Sequence, residues 1–292
     1  MKKKIITVCA AVLFLTALGL TLYPLVSNYV NQKYASKIQT AYQEIIQQTD
    51  DSVLQEASQR ATAYNLAITP GTADAYSEES LSSAAKNYDS QLDIAGGGIM
   101  GYVEIPKIQV NLPIYHGTDA EVLDRGVGHL LGSSLPMGGK STHTILSGHS
   151  GMASQKMFTD LEQLVPGDVF YLNVLGETLA YQVIQIDTVL PYETDLLGVI
   201  PGEDLCTLVT CTPYGINTHR LLVRGSRIPY EEATLLEEES VTTESAASTW
   251  EAKYVQGILW GIAAALSAGI IILTGTRIYR KARKGGGRYV KK

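Results

Sequence analysis

The chain has 292 residues, 45% of them hydrophobic, with a formal net charge of −6 and three cysteines. That length holds one large or two small domains, and the acidic balance, with no nucleic-acid motif in the chain, disfavours a nucleic-acid partner. Three cysteines exclude a disulfide framework.

In chain order, Lys2, Lys3 and Lys4 precede Ile5–Val26, which is 22 residues without a charge. Near the other end Val255–Thr276 is again 22 uncharged residues, followed by a basic block. Each exceeds the ~20 residues that a helix needs to cross a ~30 Å hydrocarbon core. No convincing small-x-small cleavage site precedes Asn28, so the first segment reads as an uncleaved anchor rather than a signal peptide. Residues 1–4 and 277–292 hold 11 of the 23 Lys/Arg and no acid. The remaining 12 lie between the two spans with all 29 Asp/Glu, a balance near −17. The positive-inside rule then puts both ends in the cytoplasm and the middle outside.

From Asn28 to about Ala67, Tyr34, Ile38, Tyr42 and Ile45, then Leu54, Ala57, Ala61 and Tyr64, recur at spacings of three and four. That periodicity predicts one polar-rich helix leading away from the membrane, broken by Pro70 and Gly71. A short helix is expected over Ser80–Tyr88, and "AGGG" (Ala95–Gly98) reads as a flexible joint. From Ile99 to Tyr230 seven or eight short runs rich in β-branched and aromatic residues alternate with Gly, Pro, Asn and Asp. Such spacing predicts a closed barrel or a sandwich, with a tight hairpin at "VLGETLA" and short helices at "AEVLDRG" and "MFTDLEQL". Glu231–Ala252, acidic and rich in Ser and Thr, reads as a tether to the second span.

One stretch carries candidate chemistry. In "TLVTCTPYGINTHRLLVRG" (Thr207–Gly225) a β-branched run ends at Cys211, a turn follows, and Arg220 opens the next strand. If the two strands pair antiparallel, the guanidinium lies beside the thiol, where it stabilises a thiolate or an oxyanion. The alternative is an inert buried cysteine and an arginine paired with a surface acid. Cys206 and Cys211 are five apart on one strand, so they face opposite ways and do not pair.

A cysteine nucleophile needs a proton donor for its leaving group. Of the five histidines, His149 in "HTILSGHSG" ends an apolar strand between Gly148 and Gly151, which makes it the candidate. His143 starts that strand and belongs at the opposite end, and His219 diverges from its neighbour Arg220. His116 and His129 sit in turn-like contexts and read as structural or solvated. No metal is expected, because Cys-x-x-Cys, His-Glu-x-x-His and acidic calcium loops are absent, and "AGGGIMG" lacks the features of a phosphate-binding loop.

These motifs together resemble the sortase family, and within it the pilin-polymerising class C group. The resemblance rests on "TLVTCTPYGINTHRLLVRGSR", "ILSGHSG", "GYVEIPKIQVNLPIYHGT" and "RGVGHLLGSSLPMGG" and spans about Ala61–Tyr230. It implies a mainly β fold, an eight-stranded sortase-type barrel over 99–230. In front of the barrel it implies a helical and lid region over 28–98. Spans at 5–26 and 255–276, a tether over 231–254 and cytoplasmic ends at 1–4 and 277–292 complete the layout in the cell membrane.

By the same resemblance Cys211 is the nucleophile, His149 the general acid and base, and Arg220 the stabiliser of substrate or oxyanion. The implied reaction is cofactor-free transpeptidation, with hydrolysis as a side activity. An LPxTG-like sorting signal on a pilin or surface protein is cut between Thr and Gly and joined to a pilin lysine amine. The class C lid motif, Asp-Pro-aromatic, falls on "DAYSEE", which makes Asp74 and Tyr76 the lid residues. The resemblance implies Asp74 pairing with Arg220 and Tyr76 covering Cys211; Ala75 in place of proline leaves the lid backbone less constrained. Rival readings are a sortase that anchors single proteins to the cell wall, a hydrolytic thiol protease, and a non-enzymatic scaffold with two membrane anchors.

Overall fold

The alternating runs after Ile99 form eight strands. These are β1 (Ile99–Ile105), β2 (Val110–His116), β3 (Val127–His129), β4 (Thr142–Ser147), β5 (Val169–Val174), β6 (Glu177–Val189), β7 (Asp204–Thr212) and β8 (His219–Ile228). They close into a barrel in the order β1-β2-β3-β4-β7-β8-β6-β5. The computed structural model describes residues 2–68, 78–152 and 154–243, and a scatter of positions from 252 to 274. Asp74 and Tyr76 lie outside the described residues.

Closure leaves no free sheet edge, and alternation along each strand divides the side chains between two faces. The inward set includes Phe170, Leu172, Tyr181, Val183, Cys206, Leu208 and Val223, all essentially buried in one cluster. Each such aliphatic or aromatic burial contributes about 1.5–3 kcal/mol. Phe170 and Tyr181 stack with ring centroids 5.5 Å apart. The outward set on β4, β7 and β8 is also covered: Ile145, Leu197 and Leu222 are buried together, with Val189, Leu196 and Val209 against them. The β6–β7 loop supplies Leu196 and Leu197, so it forms a wall over this outer face.

The hairpin expected at "VLGETLA" is present: Val174 pairs with Glu177, and Leu175 and Gly176 both take positive φ (50° and 84°). Two left-handed residues give the turn twist that matches the strands. The joint expected at Ala95–Gly98 is instead a fixed turn. Gly96, Gly97 and Gly98 have φ of 76°, 74° and 76°, the Gly98 N–H donates to Asp93 Oδ1 (3.0 Å), and the Gly98 carbonyl accepts from His116 N–H (3.1 Å). Three glycines are used because the left-handed region is open to them at no steric cost.

Before the barrel, α1 runs without a break over Lys2–Gln48, through Pro24, and α2 covers Asp51–Ile68. The single helix expected over 28–67 is therefore two. The break falls at Thr49-Asp50, where the Asp50 carbonyl accepts the Val53 and Leu54 N–H groups and α2 starts afresh. The apolar part of α1 is long enough to cross a membrane. Beyond it, Ala35, Tyr42 and Ile46 are buried at spacings of seven and four, which puts one face against the barrel. The Tyr42 hydroxyl donates to Met100 O (3.1 Å) and accepts from Leu175 N–H (3.0 Å), and burial pushes its pKa up to about 12. A short helix α3 (Glu78–Ala84) stands where Ser80–Tyr88 was expected, followed by a 3-10 turn at Tyr88–Ser90. "AEVLDRG" supplies α4 (Ala120–Leu123), and "MFTDLEQL" supplies a 3-10 turn at Thr159–Gln163.

After β8 the expected tether begins as a helix, α5 (Tyr230–Thr243). Its Ala233 is buried against Val169, Tyr171 and Ala180, and Glu237 accepts from the Tyr171 hydroxyl (2.8 Å). Acidic composition suggested a solvated linker, yet Glu, Leu and Ala are strong helix formers and one small face is enough to dock. The chain divides into two compact units, Met1–Ala247 and Ser248–Lys292. In the second, Tyr254–Ala264 is an apolar helix, and most of the span expected beyond it lies outside the described residues.

Candidate active site

β7 carries Cys211, β8 carries Arg220, and His149 lies two residues past the end of β4. β7 and β8 pair antiparallel with Cys211 directly opposite Arg220, Val209 opposite Leu222 and Thr207 opposite Arg224. Directly opposed residues point to the same face with Cβ atoms about 4.5–5.5 Å apart. On the other side β4 runs parallel to β7, with Ile145 beside Thr207 and Ser147 beside Val209. The pairing continues past β4: the Gly148 N–H donates to Val209 O (3.0 Å) and the Thr210 hydroxyl donates to Gly148 O (2.7 Å). His149 therefore comes level with Cys211, and the next residue, Ser150, donates its hydroxyl to Cys211 O (2.8 Å). Histidine, cysteine and arginine form a row across the outer face of the barrel, at the C-terminal end of β7.

The two barrel cysteines differ sharply. Cys206 is fully buried on the inner face, and burial, with Asp204 adding, pushes its thiol well above the usual range. Cys211 is half-buried and unpaired. Among the described residues the Arg220 guanidinium donates only to backbone carbonyls, those of His219 (3.0 Å) and Asn217 (3.3 Å).

The loop after His149 is built to hold it. The His149 carbonyl accepts from Phe158 N–H (2.9 Å), and the Phe158 ring packs so close to Gly148 that a Cβ there would lie 2.7 Å from it. Any side chain at 148 would push the ring away from the strand end. Lys156 and Asp160 form a buried ion pair (3.1 Å), and Lys156 Nζ also donates to Ile108 O (2.6 Å). Asp124, just after α4, approaches His149 Nε2 with one carboxylate oxygen at 4.0 Å. The Lys156–Ile108 and His149–Asp124 contacts have no motif in the sequence, since they join segments 48 and 25 residues apart.

His143 and Arg224 are further residues that sequence reasoning passed over. His143 donates from Nδ1 to Gly198 O (2.8 Å) and accepts at Nε2 from the Thr207 hydroxyl (2.7 Å). Arg224 donates to Leu196 O and to Gln185 Oε1 (2.9 Å). Both tie the β6–β7 loop to the outer face, through Gly198 and Leu196. His129, whose context looked turn-like, is fully buried; it donates from Nε2 to Ser134 O (2.9 Å) and accepts at Nδ1 from the Tyr88 hydroxyl (2.8 Å). His116 lies with its ring nitrogens 3.0 Å from Gly98 O and 2.8 Å from Gln91 O, and His219 beside Thr218 is on the exposed side.

Burial, opposed by the hydrogen bond to a backbone carbonyl, lowers both His143 and His129 from the ordinary 6.5 to about 4. The unfolded chain takes up these protons as the pH drops through 6.5, whereas the folded chain resists until about 4. Stability is thus complete above pH 6.5 and is lost progressively as pH falls towards 4, by up to about 3 kcal/mol per ring. Thermal unfolding between pH 7.5 and 4.5 should show this slope, and His143→Gln should flatten part of it; an unchanged slope would remove His143 from the account.

A family model for the sortase domain matches residues 103–228. The crystal structure of sortase C1 from Streptococcus agalactiae is 45% identical, covering 66% of this chain and 98% of that one with a TM-score of 0.60. The chain belongs to the sortase family. A second solved structure, sortase C-1 from Actinomyces oris, is 47% identical over 60% of this chain and 99% of its own, with a TM-score of 0.55. These solved neighbours are class C sortases, the group that the sequence motifs resemble. Among curated relatives, the sortase A of Streptococcus agalactiae is 29% identical over 161 residues, 54% of this chain and 62% of that protein's length. Sortases are cysteine transpeptidases, and the matched region of this sortase contains all three residues of the row.

Proposed function

We propose that this sortase is a membrane-anchored transpeptidase that links pilin subunits. The observation that carries it is the alignment of His149, Cys211 and Arg220 on one outer face of three adjacent strands. The partly exposed Val209 and Val189, on the same face beside Cys211 and Arg220, offer an apolar approach that fits the Leu-Pro part of an LPxTG-like signal. Cys211 Sγ attacks the Thr carbonyl carbon, and Arg220 donates to the oxyanion that forms. The C–N bond to Gly breaks as His149 protonates the leaving amine, leaving a thioester. A pilin lysine amine then attacks the thioester, gives its proton to His149, and leaves an isopeptide bond and a free Cys211.

The apolar part of α1 supports anchoring in the cell membrane, and the charge distribution supports both ends being cytoplasmic. Incubating the chain with a sorting-signal peptide, with and without an amine acceptor, tests the reaction. An amide product that appears with the amine is expected; cleavage to the free acid alone in both tubes would count against transpeptidation.

A lid belongs to the same proposal. Asp74 pairs with Arg220, whose guanidinium meets no carboxylate among the described residues, and Tyr76 covers Cys211. Asp74→Ala and Tyr76→Ala should each speed the modification of Cys211 by a thiol reagent. Unchanged rates in both variants would dispose of the lid.

A further inference from the structure

The strands define two ends of the barrel. Cys211, Arg220 and His149 lie at one end, as does Val189, which pairs with Arg220 on its other side. The Leu175-Gly176 turn joining β5 to β6 lies at the other end, because β6 runs from Glu177, beside that turn, to Val189.

α1 contacts both ends in a fixed order. Asn28, two residues past the apolar segment, is buried, and its Oδ1 accepts from Lys156 N–H (2.8 Å). Asn31 donates from Nδ2 to Ser154 O (3.0 Å). Both residues hold the loop that follows His149. Further along, Tyr42 holds Leu175 N–H, and the Ile46 side chain lies against Gly176. From Asn28 to Ile46 the helix rises about 27 Å at 1.5 Å per residue. The helix therefore leaves its apolar segment at the catalytic end and climbs away from it along the barrel wall.

What that end exposes fits a lipid surface. Tyr214 and Ile216, in the β7–β8 loop between Cys211 and Arg220, are 53% and 67% exposed, and Tyr192, just past the end of β6, is 76% exposed. Tyrosine side chains favour the bilayer–water boundary, where the ring is sheltered and the hydroxyl stays wet. The neighbouring charges include the acids Asp124 and Glu193, so the contact is made by tyrosyl and aliphatic tips rather than a basic patch.

We propose that the catalytic end of the barrel rests on the phospholipid headgroup layer through Tyr192, Tyr214 and Ile216, at a height set by Asn28 and Asn31. The inference rests on the reading of α1 as a membrane anchor. Substrates then reach Cys211 along the membrane plane, and the β5–β6 turn points away from the lipid.

The test uses the full chain with Cys9→Ser and Cys211→Ala, leaving the buried Cys206 in place. A fluorophore is attached at Ile216→Cys or, for the far end, at Glu177→Cys. Both proteins are placed in phosphatidylcholine nanodiscs with and without a lipid carrying a quencher near the headgroup. Quenching at 216 should exceed that at 177 by roughly threefold or more, given a boundary contact at one end only. Equal quenching, or more at 177, in chains that co-elute with the discs would overturn the orientation while leaving the anchor reading intact. Failure to co-elute would overturn both. Peptide cleavage by the parent chain, measured separately, reports on the proposed reaction independently of either result.

Discussion

Cys211→Ala abolishes cleavage of a sorting-signal peptide, with a loss on the order of 10^4-fold or more, while the barrel still folds. The size follows from covalent catalysis, in which removal of the nucleophile leaves only binding and oxyanion stabilisation. No second thiol can take over. Cys206 is on the same strand but faces inward, is fully buried, and has its thiol pushed well above the usual range. Little structural cost is expected, because Cys211 is half-buried on the outer face and makes no core contact with Cys206 or Leu208. Product formation followed by chromatography, with the thermal unfolding of the variant as a check on folding, settles the point. A variant keeping more than about one per cent of activity would remove Cys211 from the role of nucleophile.

His149→Ala costs roughly 10^2- to 10^4-fold in kcat/KM, the range for a positioned general acid. The β4 strand brings His149 level with Cys211, and the loop beyond is fixed by Phe158 and by the buried Lys156–Asp160 pair. The imidazole is about a third exposed, with a side-chain accessibility of 35%, so a small molecule can enter the space it leaves. Added imidazole should therefore restore part of the lost rate in His149→Ala. It should do nothing for Cys211→Ala. His143→Gln serves as the contrast, because His143 holds the β6–β7 loop through Gly198 and Thr207 and faces no substrate bond. An Ala variant at 149 that kept its rate would leave proton transfer without an agent and sink the proposed chemistry.

Features set by neighbouring residues were legible in the sequence. The Cys211–Arg220 juxtaposition follows from a hairpin whose two strands sit either side of one turn, and the β5–β6 hairpin announced itself through its glycine. Alternation and turn residues gave seven or eight strands, and the resemblance gave the eight that the barrel has. The partnership of His149 with Cys211 could only be chosen by elimination, because it depends on parallel pairing of β4 with β7 across 62 residues of sequence. The same reason hid Asp124, Asn28 and the contact of Lys156 with Ile108, whose partners lie on distant segments. Two misreadings were compositional. Glycines at 96–98 suggested looseness where a hydrogen-bonded turn stands, and a run of glutamates suggested a solvated tether where α5 docks on β5 and β6.

The parallel β4–β7 contact has a consequence for the history of the chain. Cys211 and His149 are strangers until a long stretch of polypeptide has wrapped round and shut the cylinder, a non-local step that comes slowly and late. A newly made chain therefore carries a thiol that has not yet met its histidine. The enzyme has no activity to misspend while it is still assembling, and competence arrives together with the finished wall. Urea titration followed in parallel by peptide cleavage and by labelling of the buried Cys206 should show both changing in a single transition.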